Sequence, residues 1–362
     1  MKHCLLTNVL SKPELFPKLS IKEMETVIRQ ANSCDLLASL THRLKYNNIE
    51  ISTLPRKVQQ HLQAIQTVAN AHEKFIQWEV KILETLFNQH NMPLILLKGA
   101  AYTAAELPSS KGRLYSDIDL LIDKNILAES ELILKRGLWI AKEMDPYDEK
   151  YYRKWMHEIP PLYHVSRRSV LDVHHALLPE TCKLRPDSDK LLENVTLIPE
   201  TKNTYTLSPV DMVLHSMTHL FHEGELEHGL RDLLDINLLL THYSQTDNTF
   251  WETLVPRAQE LNLQFPLYYG LKYSAAILNT SIPSYVIAAS KQNTPTLAKL
   301  MDFLFLRALL PNHKTCDSAF TGLARWTLYV RSHYLRMPLH LLIPHLMRKG
   351  NKRRNGKLDA NN

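Results

Sequence analysis

Apolar residues fall at three- and four-residue intervals from Ser20 to about Leu44 and again from about Val58 to His90. Ile21, Met24, Val27 and Ile28 carry the first stretch; Phe75, Trp78, Ile82, Leu83, Leu86 and Phe87 carry the second. That spacing matches the turn of an α-helix and predicts amphipathic helices. At Pro93 the pattern changes. Pro93-Leu-Ile-Leu-Leu97 is an apolar run of strand length, Lys98-Gly99 reads as a turn, and Ala100 to Leu107 reads as a short helix stopped by Pro108. A polar loop from Ser109 to Gly112 leads to a second strand, Asp117-Ile-Asp-Leu-Leu-Ile122. A helical stretch from about Asn125 to Arg136 and a strand at Leu138-Trp-Ile-Ala141 come next.

Two more strand candidates, Pro161 to Val165 and Val170 to His174, flank the basic turn Ser166-Arg-Arg-Ser169, as in a hairpin. Ser208 then offers an N-cap with Pro209 at the first helical position. From there the helical period persists to about Met347, most regularly over 209–222, 227–242, 249–262, 266–280 and 319–335. No internal repeat occurs. Strand, helix and strand alternate in the middle, an α/β order, between two helical flanks, so the chain as a whole is expected to be α+β. Its parts would be an N-terminal helical region (1–92), an α/β core (93–200), a C-terminal helical domain (201–347) and a basic disordered tail (348–362).

Composition narrows the class. A chain of 362 residues with 44% hydrophobic and 22% charged residues is globular in type and long enough for two or three packed units. The longest apolar runs, such as Pro93 to Leu97 and Phe303 to Leu306, fall far below the roughly 18 residues of a membrane-spanning helix, so no span is expected. The first residues break their apolar run at Thr7 and Asn8, which argues against a signal peptide. Cys4, Cys34, Cys182 and Cys316 have neither zinc-knuckle nor disulfide spacing, and a reducing cytoplasm fits them best. Residues 348–359 carry six basic side chains and one Asp, which is +5 of the net +6, so the body of the chain is nearly neutral. A solvated terminus is the usual outcome for such a tail; contact with nucleic acid or an anionic surface is the other.

The chemistry concentrates in the middle third. Asp117 and Asp119 stand two apart in an apolar strand, whose period of two puts both carboxylates on one face. Buried carboxylates this close repel unless a cation joins them, and hard oxygen donors suit Mg²⁺ or Mn²⁺. Acids at a strand edge facing water satisfy the same spacing. Upstream, a strand runs through Lys98-Gly99 into a helix, a turn where backbone N–H groups, a cation and a glycine meet an anion, or simply an ordinary strand-to-helix turn with a solvated lysine. A third acid, Asp172, shares a strand face with His174 in Val170-Leu-Asp-Val-His174. Three carboxylates on neighbouring strands beside a phosphate-binding turn are what two-metal phosphoryl or nucleotidyl transfer requires.

The segments LLKGAAYTAAELPSSKGRLYSDIDLLI and PPLYHVSRRSVLDVHHALL resemble the bacterial family of uncharacterised nucleotidyltransferases, a branch of the DNA polymerase β-like superfamily. The lead-in LFNQHNMPLILLKG and the later HSMTHLFHEGELEHGLRDLLDINLLL, with Arg231 and Asp235, are similar to the family as well. The resemblance implies a core built on a small mixed β-sheet, a metal-binding pair at Asp117 and Asp119, a third acid at Asp172 and a turn at Lys98 and Gly99. Arg113 matches a basic residue that commonly precedes the acid pair. The wider superfamily carries Gly-Gly or Gly-Ser at the turn where this chain has Lys-Gly.

The expected activity is therefore Mg²⁺-dependent (or Mn²⁺-dependent) transfer of a nucleoside monophosphate from an NTP to an acceptor, with release of pyrophosphate. Asp117, Asp119 and Asp172 would be the catalytic and metal residues; Lys98, Gly99, Arg113 and His174 would bind nucleotide. The acceptor stays open among a small molecule, a sugar, a protein and RNA. A toxin-like transferase acting on tRNA or protein, and a catalytically silent nucleotide-binding or scaffold protein, are the alternatives.

Two other patterns read as structural. His215, His219 and His222 share one helix face and fit packing and hydrogen bonding to the acidic segment from Glu223 to Glu227 better than a zinc-protease site. Trp326, Tyr329, Val330 and Tyr334 recur at helical spacing and are expected to be core. The chain has no GxGxxG or GxxxxGK[ST] sequence and no Ser/His/Asp or Cys/His nucleophile motif of known context.

Overall fold

A computed structural model of the protein describes residues 4–222, 226–292, 294, 296–344 and 347. The basic tail, 348–362, and Glu223 and Glu225 of the acidic segment lie outside the described residues.

The N-terminal third is helical, as the apolar period predicts. Ser20 begins the Ile21–Asn32 helix with a reciprocal cap: its hydroxyl accepts from Glu23 N at 3.4 Å, and its own N–H donates to Glu23 Oε2 at 2.8 Å. Leu37–Tyr46 follows, then the 34-residue helix Arg56–Gln89. That long helix buries Val58, Leu62, Ala69, Ile76, Val80, Leu83 and Phe87. Phe75 and Trp78 lie outside this stripe at the surface, where Trp78 lies beneath the guanidinium of Arg167. The helix also buries Glu79, whose carboxylate accepts from Arg167 Nε at 2.8 Å and from Ser169, so the long helix is tied to the 166–169 turn. Asn91, at φ 54°, turns the chain out of the helix and into the sheet.

Among the described residues seven strands form one mixed sheet: β1 (Leu94–Leu97), β2 (Ile118–Leu121), β3 (Trp139–Ala141), β4 (Leu162–His164), β5 (Val170–His174), β6 (Val195–Leu197) and β7 (Thr204–Leu207). Their order is β3-β4-β5-β2-β1-β7-β6, with β1/β7 and β2/β5 parallel and the other pairs antiparallel. The fully buried β1 and β2 sit near the middle, and the expected β4–β5 hairpin forms. The strands β6 and β7 are the ones the apolar pattern does not reveal. β6 is an edge strand whose Leu197 is exposed, and β7 mixes threonines with Tyr205, so neither carries a continuous apolar run. β7 extends the sheet past residue 200.

Beyond the sheet, Pro209–His222 is buried on nearly every side and packs against Gly229–Thr246 and Gln264–Leu278. Ser208 caps its start by accepting from Asp211 N at 3.3 Å. Two further helices, Ser284–Lys291 and Ala298–Ala308, fill a stretch where the period is weak. One contiguous apolar core joins the N-terminal helices, the sheet and the C-terminal helices. The protein is thus α+β, a small mixed sheet between helical flanks.

The C-terminal aromatic stripe corrects the sequence reading. Trp326 is 62% exposed, and Tyr329, Val330 and Tyr334 are exposed beside it. The Thr321–Arg336 helix instead buries Thr321, Ala324, Leu328 and Ser332, the face with small residues, which lets it approach its neighbour Ala298–Ala308 closely. Helical periodicity identifies a stripe, but not which of two adjacent stripes meets the core. Among the described residues no helix is long and apolar enough to cross a membrane.

Candidate active site

β1 ends at Leu97 and the Lys98–Ala104 helix starts at once, so Lys98 takes the left-handed conformation, φ 46°, that non-glycine residues rarely adopt. The turn throws the lysine side chain across to β2, where its Nζ lies 2.8 Å from Asp119 Oδ1. β1 and β2 pair antiparallel with Leu97 opposite Asp119, which sets that reach. Gly99 is closely packed: a Cβ there would fall 2.9 Å from Arg113 Nε and 3.0 Å from the Tyr115 ring, so those side chains would have to shift. In this structure the missing side chain makes room for Arg113.

The parallel register of β2 and β5 puts Asp119 opposite Asp172 and Leu121 opposite His174. Adjacent strands lie roughly 4.8 Å apart, so two carboxylates face each other across one strand spacing. Asp117 immediately precedes β2, is half-buried and accepts from Ser116 Oγ at 2.9 Å. His174 Nε2 donates to Asp119 Oδ1 at 2.9 Å. All seven residues singled out from sequence, Lys98, Gly99, Arg113, Asp117, Asp119, Asp172 and His174, line a single cavity of about 320 Å³.

The two central acids are held in opposite states. Burial opposes ionisation of Asp119, but the Lys98 ammonium and the His174 hydrogen bond outweigh it and hold the carboxyl well below the usual carboxylate range. Asp172 is pushed up to about 8, first by burial and then by the charges of Asp119, Glu158 and Asp117. Its Oδ1 is buried and has no hydrogen-bond partner among the described residues. A buried acceptor of this kind beside two other carboxylates calls for a proton or a cation.

Arg113 reaches the cavity wall but is already paired, with Asp235 of the Gly229–Thr246 helix, and its guanidinium lies over Tyr102. The C-terminal helices thereby form the far side of the cavity, contributing Asp232, Asp235, Arg231 and His219. Of the three helix-face histidines, His215 is buried and held well below its ordinary pKa by burial and by Lys98. His222 is brought down to about 4 by burial and by Arg331, its Nδ1 3.2 Å from the Thr218 carbonyl. His215 and His222 thus pack in the core, while His219 opens to the cavity.

Sequence reasoning missed His157 and Glu158, which also line the cavity. A backbone bridge sets Glu158 opposite His174, and Glu158 Oε2 lies 3.6 Å from His174 Nδ1. The pair sits in a polar stretch just before an apolar strand, a signal that acquires meaning only once this bridge is known.

Fold and site together define an α+β protein in which two acids face each other on β2 and β5, a third immediately precedes β2 and a lysine follows β1, all on one cavity beneath a helical wall. Residues 21–279, more than half of the chain, match the model of the family described as uncharacterised nucleotidyltransferase, and the protein belongs to that family. No curated protein and no solved structure matches the chain.

Proposed function

We propose that the protein is a cytoplasmic, Mg²⁺-dependent enzyme that moves a nucleoside monophosphate from an NTP to an acceptor hydroxyl. The observation carrying this reading is the convergence of Asp117, Asp119 and Asp172 with Lys98 on one cavity, two of the acids in direct register on neighbouring strands. Magnesium fits the donors: they are hard carboxylate oxygens, one of them buried and without a partner. Asp117 and Asp119 would hold the metal pair and Asp172 would complete the set. Bound there, the ions would neutralise triphosphate charge and acidify the attacking hydroxyl.

The chain's own residues divide the remaining work. The acceptor oxygen attacks the α-phosphorus as the bond to the bridging oxygen of the β-phosphate breaks, and pyrophosphate leaves. Asp172 takes the hydroxyl proton. Lys98 exchanges its contact with Asp119 for the triphosphate oxygens, a short move for a flexible ammonium. Gly99 keeps the turn low enough for Arg113 to flank the same phosphates. His174 holds Asp119 in a fixed orientation.

The test supplies purified protein with each NTP labelled at the α-phosphate, Mg²⁺ or Mn²⁺, and a cell extract, then separates RNA, protein, lipid and sugar fractions. Label in one fraction with wild type, and none with Asp119→Asn, is expected. An absence of label everywhere, with the NTP still bound, would instead make the protein a binding or scaffold module.

A further inference from the structure

Beside the acid triad, three side chains of different chemistry converge: one ligand atom each from His157, Glu158 and His174, all within 4.8 Å of one another. We propose that these three residues bind a separate ion of the zinc class, adjoining the all-oxygen magnesium set through His174. The inference stands on the side-chain geometry and does not depend on the identity of the acceptor or of the NTP.

The donor set is the first argument. Two imidazoles and a carboxylate match Zn²⁺, which takes mixed nitrogen and oxygen ligands, whereas Mg²⁺ prefers six oxygens. Three protein ligands opening onto a cavity leave a position for solvent or substrate, as in catalytic and not in closed structural zinc sites. Ligand atoms about 2.1 Å from an ion stand at most roughly 4.2 Å apart, so the side chains need only small rotations to close on one.

The second argument is hydrogen bonding. His174 Nε2 lies 2.9 Å from Asp119 Oδ1 and its Nδ1 lies 3.6 Å from Glu158 Oε2, so the imidazole stands between two carboxylates. With the Nε2 proton given to Asp119, either a second proton or a metal ion can join Nδ1 to Glu158, and the metal is the one proposed. A metal on Nδ1 with a carboxylate on the opposite N–H is the arrangement by which ligating histidines are commonly oriented.

Rigidity is the third. Backbone bonds fasten the 157–159 segment to β5: Ile159 N donates to the Val173 carbonyl at 3.0 Å, and His175 N donates to the His157 carbonyl at 2.8 Å. The ligands therefore sit on fixed backbone and not on a loose loop.

The experiment titrates the EDTA-stripped full-length protein with Co²⁺ as a spectroscopic substitute, in millimolar Mg²⁺ to occupy the all-oxygen set. One Co²⁺ per chain with the visible bands of a four- or five-coordinate, imidazole-ligated ion, displaced by Zn²⁺, is expected. His157→Gln and Glu158→Gln, each checked for fold by circular dichroism and thermal midpoint, should weaken Co²⁺ binding tenfold or more, and Asp117→Asn should leave the bands in place. Absence of the bands, or wild-type affinity in either His157→Gln or Glu158→Gln, would overturn the proposal and leave Glu158 as a partner of a protonated His174.

Discussion

Asp119 and Asp172 stand opposite each other on parallel neighbouring strands, yet only Asp119 has a cation and an imidazole bound to it, through Lys98 and His174. Asp172 keeps a buried oxygen that has no partner among the described residues. This asymmetry makes one carboxylate a fixed anion and the other a group that waits for a proton or a metal.

Removing Asp117 or Asp119 should abolish ligand-linked stabilisation. Wild type at about 100 times the dissociation constant of Mg²⁺-NTP should gain roughly 2.7 kcal/mol by mass action. Asp117→Asn and Asp119→Asn should gain little and lose at least a hundredfold in transfer. Thermal midpoints with and without Mg²⁺ and NTP check this; equal gains in all three proteins would contradict the metal assignment.

In EDTA the Asp172 carboxyl should destabilise the fold at neutral and alkaline pH. Its folded pKa, about 8, lies above its ordinary value, so the favourable protonated state is fully present below about pH 4 and is lost as pH rises through 8. Asp172→Asn should therefore raise the melting temperature at pH 8 by about 3 °C or more. The difference should shrink toward pH 4.

Acid should weaken the C-terminal helices through their buried histidines. His222 is neutral in the fold with a pKa near 4, below its unfolded value, so the unfolded chain takes up the proton first. Stability should be retained above about pH 6.5 and fall by up to about 3 kcal/mol as pH drops toward 4. Urea midpoints across that range should show the loss, and His222→Gln should flatten it.

Gly112 couples the N-terminal helices to the site loop. It adopts φ 73°, its carbonyl accepts from Ser39 Oγ at 3.0 Å, and a Cβ there would fall 2.5 Å from the Ala38 carbonyl oxygen. Backbone cannot yield as a side chain can. Gly112→Ala should cost more than about 2 kcal/mol by denaturant melting and should displace the neighbouring Arg113 from the cavity.

Deleting residues 348–362 should separate a small acceptor from RNA. The cavity is built from the sheet and the helices on either side of it, so transfer to a small acceptor should survive deletion within a few-fold. If RNA is the acceptor, loss of six basic side chains should cut binding and flatten its salt dependence. A hundredfold fall in activity at physiological salt, with the fold intact, would favour RNA.

The sequence by itself determined the residue types and the local periods. Apolar spacing marked the long helices, a period of two placed Asp117 and Asp119 together, and Lys98-Gly99 marked the turn after β1, because each of these depends on neighbours a few positions away. Only the tertiary structure decided which strands lie side by side. The β2/β5 register that faces Asp119 with Asp172, the bridge that brings Glu158 to His174, and the reach of Asp235 to Arg113 all join residues distant in the chain. Strands as polar as β6 and β7 acquire their place from pairing, and the Thr321–Arg336 helix turns Thr321, Ala324, Leu328 and Ser332 inward while Trp326 and Tyr334 stay exposed, a choice between two faces that its own period does not make. Local propensity encodes the elements; long-range packing chooses their partners and thereby assembles the charges of the site.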